Sequence, residues 1–276
     1  MRAALLQLSS GDDPAANLPL TLGMVDSAVR DGAAFVLTPE VTNCVSASRR
    51  HQMEVLRPES EDPTLAALRD AAARYGIWLL IGSLALRTDD SRRRFANRSF
   101  LIGPDGAVGA RYDKVHMFDV DISPGETYRE SDGYRPGDRA VLADMPFGRL
   151  GLTICYDLRF PQLYRRLAQA GADILTVPAA FSPVTGAAHW EVLLRARAIE
   201  NGAWVLAPAQ CGGHRASRGK PRATWGHSMA VSPWGEVTVD GGETPGVVLA
   251  EIDIGEVAAA RRRVPSLNHD RRVEGP

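Results

Sequence analysis

Short apolar runs, many of them β-branched, alternate along the chain with stretches whose apolar residues recur every three or four positions. The period-2 and continuous runs predict strands and the longer spacing predicts helices. Ala3 to Leu8 reads as a strand, Ala15 to Arg30 as a helix (Leu18, Leu22, Val25 and Val29 on one face), and Ala34 to Leu37 as a second strand. The cycle repeats with a helix near Thr64 to Tyr75 and a strand from Ile77 to Ser83. Two strands follow, Asn97 to Ile102 and Val108 to Tyr112, joined by the turn Gly103-Pro104-Asp105-Gly106. A Gly- and Pro-rich loop then spans about His116 to Arg139.

Strand and helix return in the second half: Leu150 to Ile154, Pro161 to Ala170, Ile174 to Val177, Ala187 to Asn201 and Trp204 to Ala207. Strands near His227 to Val231, Glu236 to Val239 and Val247 to Ile252 close the series, before a short helix and a polar tail. Helices alternating with strands and hairpins imply an α/β layered fold with mixed sheets. No repeat, low-complexity segment or linker separates two cores, so one domain over residues 1–276 is expected.

Composition narrows the function. Among 276 residues, 32 Lys+Arg balance 33 Asp+Glu to a formal net charge of −1, which leaves no global field for nucleic acid or an acidic membrane surface. The runs Arg92-Arg93-Arg94 and Arg261-Arg262-Arg263 read as a solvated loop and a helix face. No stretch approaches the roughly 20 apolar residues of a membrane helix, and the opening apolar run breaks too soon at Gly11 to Pro14 for a signal peptide. Cys44, Cys155 and Cys211 are odd in number and widely spaced, which argues against a disulfide framework or a zinc site and for free thiols in the cytoplasm.

The richest segment is Gly148 to Pro161, in which a buried strand ends in Cys155 and a few turn residues precede Pro161, a residue suited to the first helical position. A cysteine on such a strand-to-helix turn can expose its sulfur, favour its thiolate and direct backbone N–H groups at a developing oxyanion. The same cysteine also fits a small buried hydrophobe. Cys44 and Cys211 lack this setting. Glu40, delivered from a strand end by Thr38-Pro39, and Lys114, which follows Tyr112-Asp113, supply a candidate base and a candidate cation. Each is equally a solvated loop charge when read alone. His116, His189 and His227 have no metal-site spacing and read as structural.

Taken together, these positions resemble the nitrilase superfamily, in which a glutamate, a lysine and a cysteine follow core strands in that chain order, as Glu40, Lys114 and Cys155 do. The supporting segments include Lys114 to Asp121, Ile154 to Pro161, Ala180-Phe181 with Thr185-Gly186, Ala188 to Glu200, Ala209 to Gly212 and Gly226 to Met229. The similarity runs from Ala3 to about Arg272 and looks greatest toward the Nit branch, the deaminated glutathione amidases in particular. It implies an αββα sandwich with a core over about 2–254. It also implies homodimerisation through the α-faces, with the tail from about 255 to 276 on the partner, and neither metal nor cofactor. A second glutamate belongs in the loop after the lysine; Glu130, followed by Ser131, fits, and the nearby Glu126 lacks that serine.

The implied chemistry is amide hydrolysis through a thioester on Cys155, with Glu40 as base and Lys114 and the Tyr156 N–H as oxyanion donors. Glu130 is implied as an orienting group, and Arg159, Phe181 and Thr185 as the acyl pocket. Arg159 can instead pair with Asp157 in the turn. Arg195 and Arg197 read as structural or interface charges. A small carboxylate-bearing amide is the expected substrate: deaminated glutathione, or alternatively 2-oxoglutaramate or another amide or N-carbamoyl compound. A catalytically silent interaction protein on this scaffold is the reading from a different class. Asn97-Arg98-Ser99 departs from the pattern by carrying arginine where relatives commonly have threonine.

Overall fold

The computed structural model describes residues 1–123 and 126–275; Pro124 and Gly125 of the predicted loop, and Pro276, lie outside them. The first half contains β1 (Arg2–Gln7), α1 (Pro14–Arg30), β2 (Phe35–Leu37), α2 (Arg49–Val55), α3 (Pro63–Tyr75), β3 (Trp78–Leu86), β4 (Ala96–Ile102) and β5 (Val108–Asp113). β6 (Asp119–Ser123), β7 (Glu126–Arg129) and the single turn α4 (Glu130–Gly133) follow, inside the segment read from sequence as loop. The second half runs β8 (Val141–Met145), β9 (Gly148–Leu152), a 3-10 turn (Cys155–Arg159), α5 (Pro161–Gln169), β10 (Ile174–Thr176), α6 (Pro183–Asn201) and β11 (Trp204–Ala207). It ends with β12 (Cys211–His214), β13 (Arg222–Trp225), β14 (Met229–Val231), β15 (Val237–Asp240), β16 (Gly246–Glu251) and α7 (Gly255–Arg263).

Two six-stranded mixed sheets result, ordered β16-β1-β2-β3-β4-β5 and β15-β14-β11-β10-β9-β8. Taken from β16 and from β8, they share one pairing pattern: antiparallel, parallel, parallel, antiparallel, antiparallel. The chain that lacks a sequence repeat thus contains a topological one.

β1 explains the layering. Its alternate residues Ala3 and Leu5 join one core cluster with Leu37, Leu80, Leu150, Leu152 and Ile174, between the sheets. Ala4 and Leu6 join another with Val25 of α1 and Leu65 and Leu68 of α3. Fully burying one such leucine contributes about 1.5–3 kcal/mol. On the other sheet, Leu163, Tyr164 and Leu167 of α5 and Trp190, Leu194 and Ala198 of α6 pack against β9–β11. The architecture is a four-layer αββα sandwich.

Helix ends follow their local signals. Asp62 caps α3 by accepting from the Leu65 N–H at 2.9 Å, Pro63 opens it, and Gly76 closes it in the left-handed region. The expected turn at 103–106 forms, with Gly106 at φ +77° donating to Gly103 O. The polar tail lies on α5, where Asp270 accepts from Arg165 and Gln169. The arginine runs are more engaged than solvated segments would be: Arg94 pairs with Asp90, Arg261 donates to Asn201 O and Ala172 O, and Arg263 stacks 3.7 Å from the Trp234 ring. Among the described residues, no helix is long and apolar enough to cross a membrane.

Candidate active site

Glu40 leaves the end of β2, Lys114 follows β5, Glu130 opens α4 and Cys155 follows β9. The first two strands belong to one sheet and β9 to the other, so the site lies where strand ends of the two sheets meet. The Lys114 ammonium donates to Glu40 Oε1 at 2.9 Å and to both Glu130 oxygens at 3.0 and 2.8 Å. The Cys155 thiol lies close enough to Glu40 for each to shift the other's ionisation. Asn97 Nδ2 donates to Glu40 Oε1 at 2.8 Å, and the Ala180 N–H to Glu40 Oε2 at 2.9 Å. Glu130 Oε2 also accepts the Phe118 N–H at 2.6 Å.

All three central groups are enclosed: Glu40, Lys114 and Cys155 are 4%, 2% and 7% exposed. Burial pushes the Glu40 carboxyl up, yet the Lys114 ammonium and the bonds from Lys114, Cys155 and Asn97 outweigh it and hold the group below its usual range. Burial works against the Lys114 charge, and Glu130 and Glu40 reverse that, raising its pKa well above normal. For Cys155, burial and then the neighbouring Glu40 raise the thiol well above normal, against the opposing pull of Lys114. The resting set is therefore a neutral thiol beside a carboxylate and an ammonium. The expectation of an exposed, thiolate-favouring cysteine is corrected here, because burial and the adjacent Glu40 carboxylate outweigh the pull of Lys114. Cys44 and Cys211 are also buried, their thiols pushed up by burial to about 12 and about 11.

The backbone is strained where the chemistry sits. Cys155 has φ +48° and Val41, next to Glu40, has φ +46°, conformations that cost of order 1–3 kcal/mol and persist only when the surroundings over-determine them. Those surroundings are visible. The Val41 N–H donates to Ser83 Oγ at 2.8 Å and the Cys155 N–H to Pro178 O at 3.0 Å. The buried Asp157 accepts from the Ile154 N–H (2.9 Å), Tyr112 Oη (2.7 Å) and the His116 N–H (3.0 Å), and its other near contact is His116 Nδ1 at 2.7 Å. Arg197 donates twice to Leu158 O, at 3.0 and 2.7 Å.

Gly82 lies between the two strand-end loops. A Cβ there would strike Thr38 O and stand 2.7 Å from Pro39 O. Backbone oxygens cannot turn aside, so Gly82→Ala is expected to cost about 3 kcal/mol, the top of the usual range for overpacking. It should also displace Glu40. Chemical denaturation beside an activity assay checks this; an unchanged midpoint with full activity would contradict it.

The cluster opens into a cavity of about 830 Å³, lined also by Phe118, Tyr128, Tyr156, Phe181, Thr185, Lys220 and Arg222. This is a common size for a small-molecule site. Tyr156, Phe181 and Thr185 all stand in the cavity wall. Arg159 adjoins two of these wall residues. Its guanidinium lies over the Tyr156 and Phe181 rings at 5.9 and 5.3 Å, with His189 Nδ1 3.3 Å away, and Asp157 is committed to His116 and Tyr112 instead. Arg98, the departure noted in the sequence, is compensated by Asp113 and Glu59.

Asn97 escaped the sequence reading, as did the Asp157–His116–Tyr112 bracket. The available signal for Asn97 was a carboxamide near the start of a strand whose far half, Phe100 to Ile102, is apolar. Among the described residues no group of three or more His, Cys, Asp or Glu side chains is placed to hold a metal ion.

Comparison with known proteins agrees with this geometry. The Carbon-nitrogen hydrolase family profile matches residues 2–262. The deaminated glutathione amidase of Yersinia enterocolitica is 43% identical over 273 residues, covering 98% of this chain and 93% of that protein. Of solved structures, the C. elegans NitFhit protein superposes with a TM-score of 0.89 at 34% identity, over 98% of this chain and 65% of that longer one. Saccharomyces cerevisiae Nit3, a member of branch 10 of the nitrilase superfamily, superposes with a TM-score of 0.84 at 29% identity, over 96% of this chain and 94% of that one. Sequence, fold and the grouping of Glu40, Lys114 and Cys155 lead to one assignment: the chain belongs to the carbon-nitrogen hydrolase family.

Proposed function

We propose that the protein is a cysteine amidase that hydrolyses deaminated glutathione, N-(2-oxoglutaryl)-cysteinylglycine, to 2-oxoglutarate and cysteinylglycine. The observation that carries the chemistry is the enclosed contact of Lys114 with Glu40 and Glu130 in the same cavity wall as the Cys155 thiol. Glu40 takes the proton of the Cys155 S–H as sulfur attacks the amide carbon. The Lys114 ammonium and the Tyr156 N–H receive the negative charge that gathers on oxygen. Glu40 then passes its proton to the nitrogen, the C–N bond breaks, and the acyl group remains on sulfur as a thioester. Water, deprotonated by Glu40, attacks the thioester, releasing the acid and restoring the thiol. A neutral thiol suits this order, because the carboxylate supplies at the moment of attack what a standing thiolate would supply beforehand. Glu130 acts by fixing the Lys114 ammonium.

On the acyl side, Arg159 is the carboxylate partner, with Phe181 and Thr185 as walls. Supporting this role, the Arg159 guanidinium has no carboxylate within ion-pair distance among the described residues. The relatives' names favour deaminated glutathione. We read the molecule as a single domain that works as a homodimer in the cytoplasm, with α6 and the tail at the dimer contact. Val192 and Ile199 of α6 are 66% and 55% exposed, as an uncovered interface would be.

Steady-state comparison of deaminated glutathione with 2-oxoglutaramate tests the substrate. The two share an acyl half, so a kcat/KM preference of at least about tenfold for the former is expected, since a site that hydrogen-bonds one substrate rejects another lacking those groups. A ratio near one, or a preference for 2-oxoglutaramate, would remove the specific assignment while leaving the amidase chemistry.

A further inference from the structure

Most cations around the cavity are accounted for. Lys114 is held by its two glutamates, Arg129 by Asp121, and Arg49 by the carbonyls of Asp132, Arg92 and Arg93. Arg222 is the exception. It lines the cavity from β13, has no carboxylate within ion-pair distance among the described residues, and its Nε is buried without a hydrogen-bond partner. Lys220, two residues earlier in the wall, also lacks an ion pair among the described residues. A buried donor left unpaired on a charged group costs at least about 1–3 kcal/mol, so an orphan of this kind in a cavity wall marks a place where a ligand completes the bonding.

The aromatic contacts locate this orphan relative to the chemistry. The Arg222 guanidinium lies 6.0 Å over the Tyr128 ring. Tyr128 meets Phe118 with centroids 5.1 Å apart, Phe118 meets Tyr156 at 5.1 Å, and Arg159 lies over Tyr156 at 5.9 Å. A row of three rings thus has an arginine at each end. The row is tied to the reacting groups at its middle, where the Phe118 N–H donates to Glu130, and at one end, where Tyr156 follows Cys155. A substrate whose amide lies at Cys155 with its acyl carboxylate toward Arg159 would send its amine half toward the other end. Two separated guanidinium groups call for two separated carboxylates.

We propose that Arg222, with Lys220 beside it, forms a second carboxylate subsite that reads the amine half of the substrate, so the enzyme selects amides whose departing amine itself ends in a carboxylate. The proposal rests on the amidase reading given above. It assigns Arg222 to specificity and not to bond breaking. It also extends the substrate class to amides of amino acids and short peptides in general.

Deaminated glutathione and its C-terminal carboxamide share the acyl half and the backbone of the amine half, and differ in the carboxylate alone. Wild-type enzyme is expected to favour the acid by roughly 10- to 100-fold in kcat/KM, mostly through KM, the range for one hydrogen-bonded charged pair. Arg222→Gln should bring that ratio toward one, and Arg222→Lys should restore part of it. A wild-type ratio near one overturns the subsite without any variant. So does an Arg222→Gln enzyme that keeps the preference or loses both substrates equally. A wild-type enzyme that hydrolyses neither compound removes the underlying reading, and the subsite with it.

Discussion

Replacing Cys155 by alanine is expected to lower kcat on the amide substrate by roughly 10⁴–10⁶-fold, the scale on which removing a catalytic nucleophile acts in comparable hydrolases. Neither other cysteine shares the neighbourhood of Glu40 and Lys114 that shifts Cys155: among the described residues Cys44 is influenced by burial and then by Asp12 and Asp13, and Cys211 by burial alone. Stability should change little, because one small group is lost and the strained turn keeps its bonds to Asp157, Arg197 and Pro178. Thermal unfolding of the variant separates chemistry from folding. Substantial amidase activity in a folded Cys155→Ala protein would end the mechanism.

Lys114→Met tests the cation. The substitution removes a positive charge from between two enclosed carboxylates, and breaking a buried pair from one side costs about 3–5 kcal/mol. It also takes away an oxyanion donor, a loss of about 10²–10³ in kcat in a comparable case. A pH signature should accompany both. In the wild type the ammonium outweighs burial and holds Glu40 below its usual range. Without it burial dominates, the carboxyl rises, and a higher pH is needed to keep the base ionised. The acid limb of kcat/KM should therefore move to higher pH in Lys114→Met. An acid limb that stays in place, or moves to lower pH, would mean that Lys114 does not set the charge state of Glu40.

Strands buried on both faces were the easiest elements to read. β1, β2 and β3 are nearly continuous apolar runs because a sheet or a helix layer covers each side. β8, which no predicted element covers, is a half-buried strand that includes Asp144, so its pattern is diluted. β12 is Cys-Gly-Gly-His; its place is set by contacts distant in sequence, such as the Cys211 N–H bond to Leu8 O, which no local propensity encodes. α2 buries only His51 and Gln52 and presents no apolar stripe. α6 begins at Pro183, four residues before the predicted start, because its first turn carries Gly186 against the Trp225 ring, where a helix former with a Cβ would clash.

The site was legible as a set of residue types in chain order, each at a strand end. The charge state of the thiol was not legible, since it depends on how one ammonium is shared and on how deeply all three groups are enclosed. Arg159 shows the same limit: its distance in sequence from Cys155 suggested the neighbourhood of the cavity, and its seat over the Tyr156 and Phe181 rings came only with the fold.

The matching pattern of the two sheets has a consequence for inheritance of function. One half of the molecule supplies Glu40, Lys114 and Glu130, and the other supplies Cys155 and the Ala180 N–H. Neither half carries a working set, so activity is a property of the seam between them. Leu37 and Leu152, which share the cluster between the sheets and stand just before Glu40 and Cys155, govern the alignment of acid and sulfur. An ångström of slippage at such a seam can cost about a hundredfold in rate. Substitutions in the greasy middle of this protein should consequently read out as catalytic defects well before they read out as unfolding.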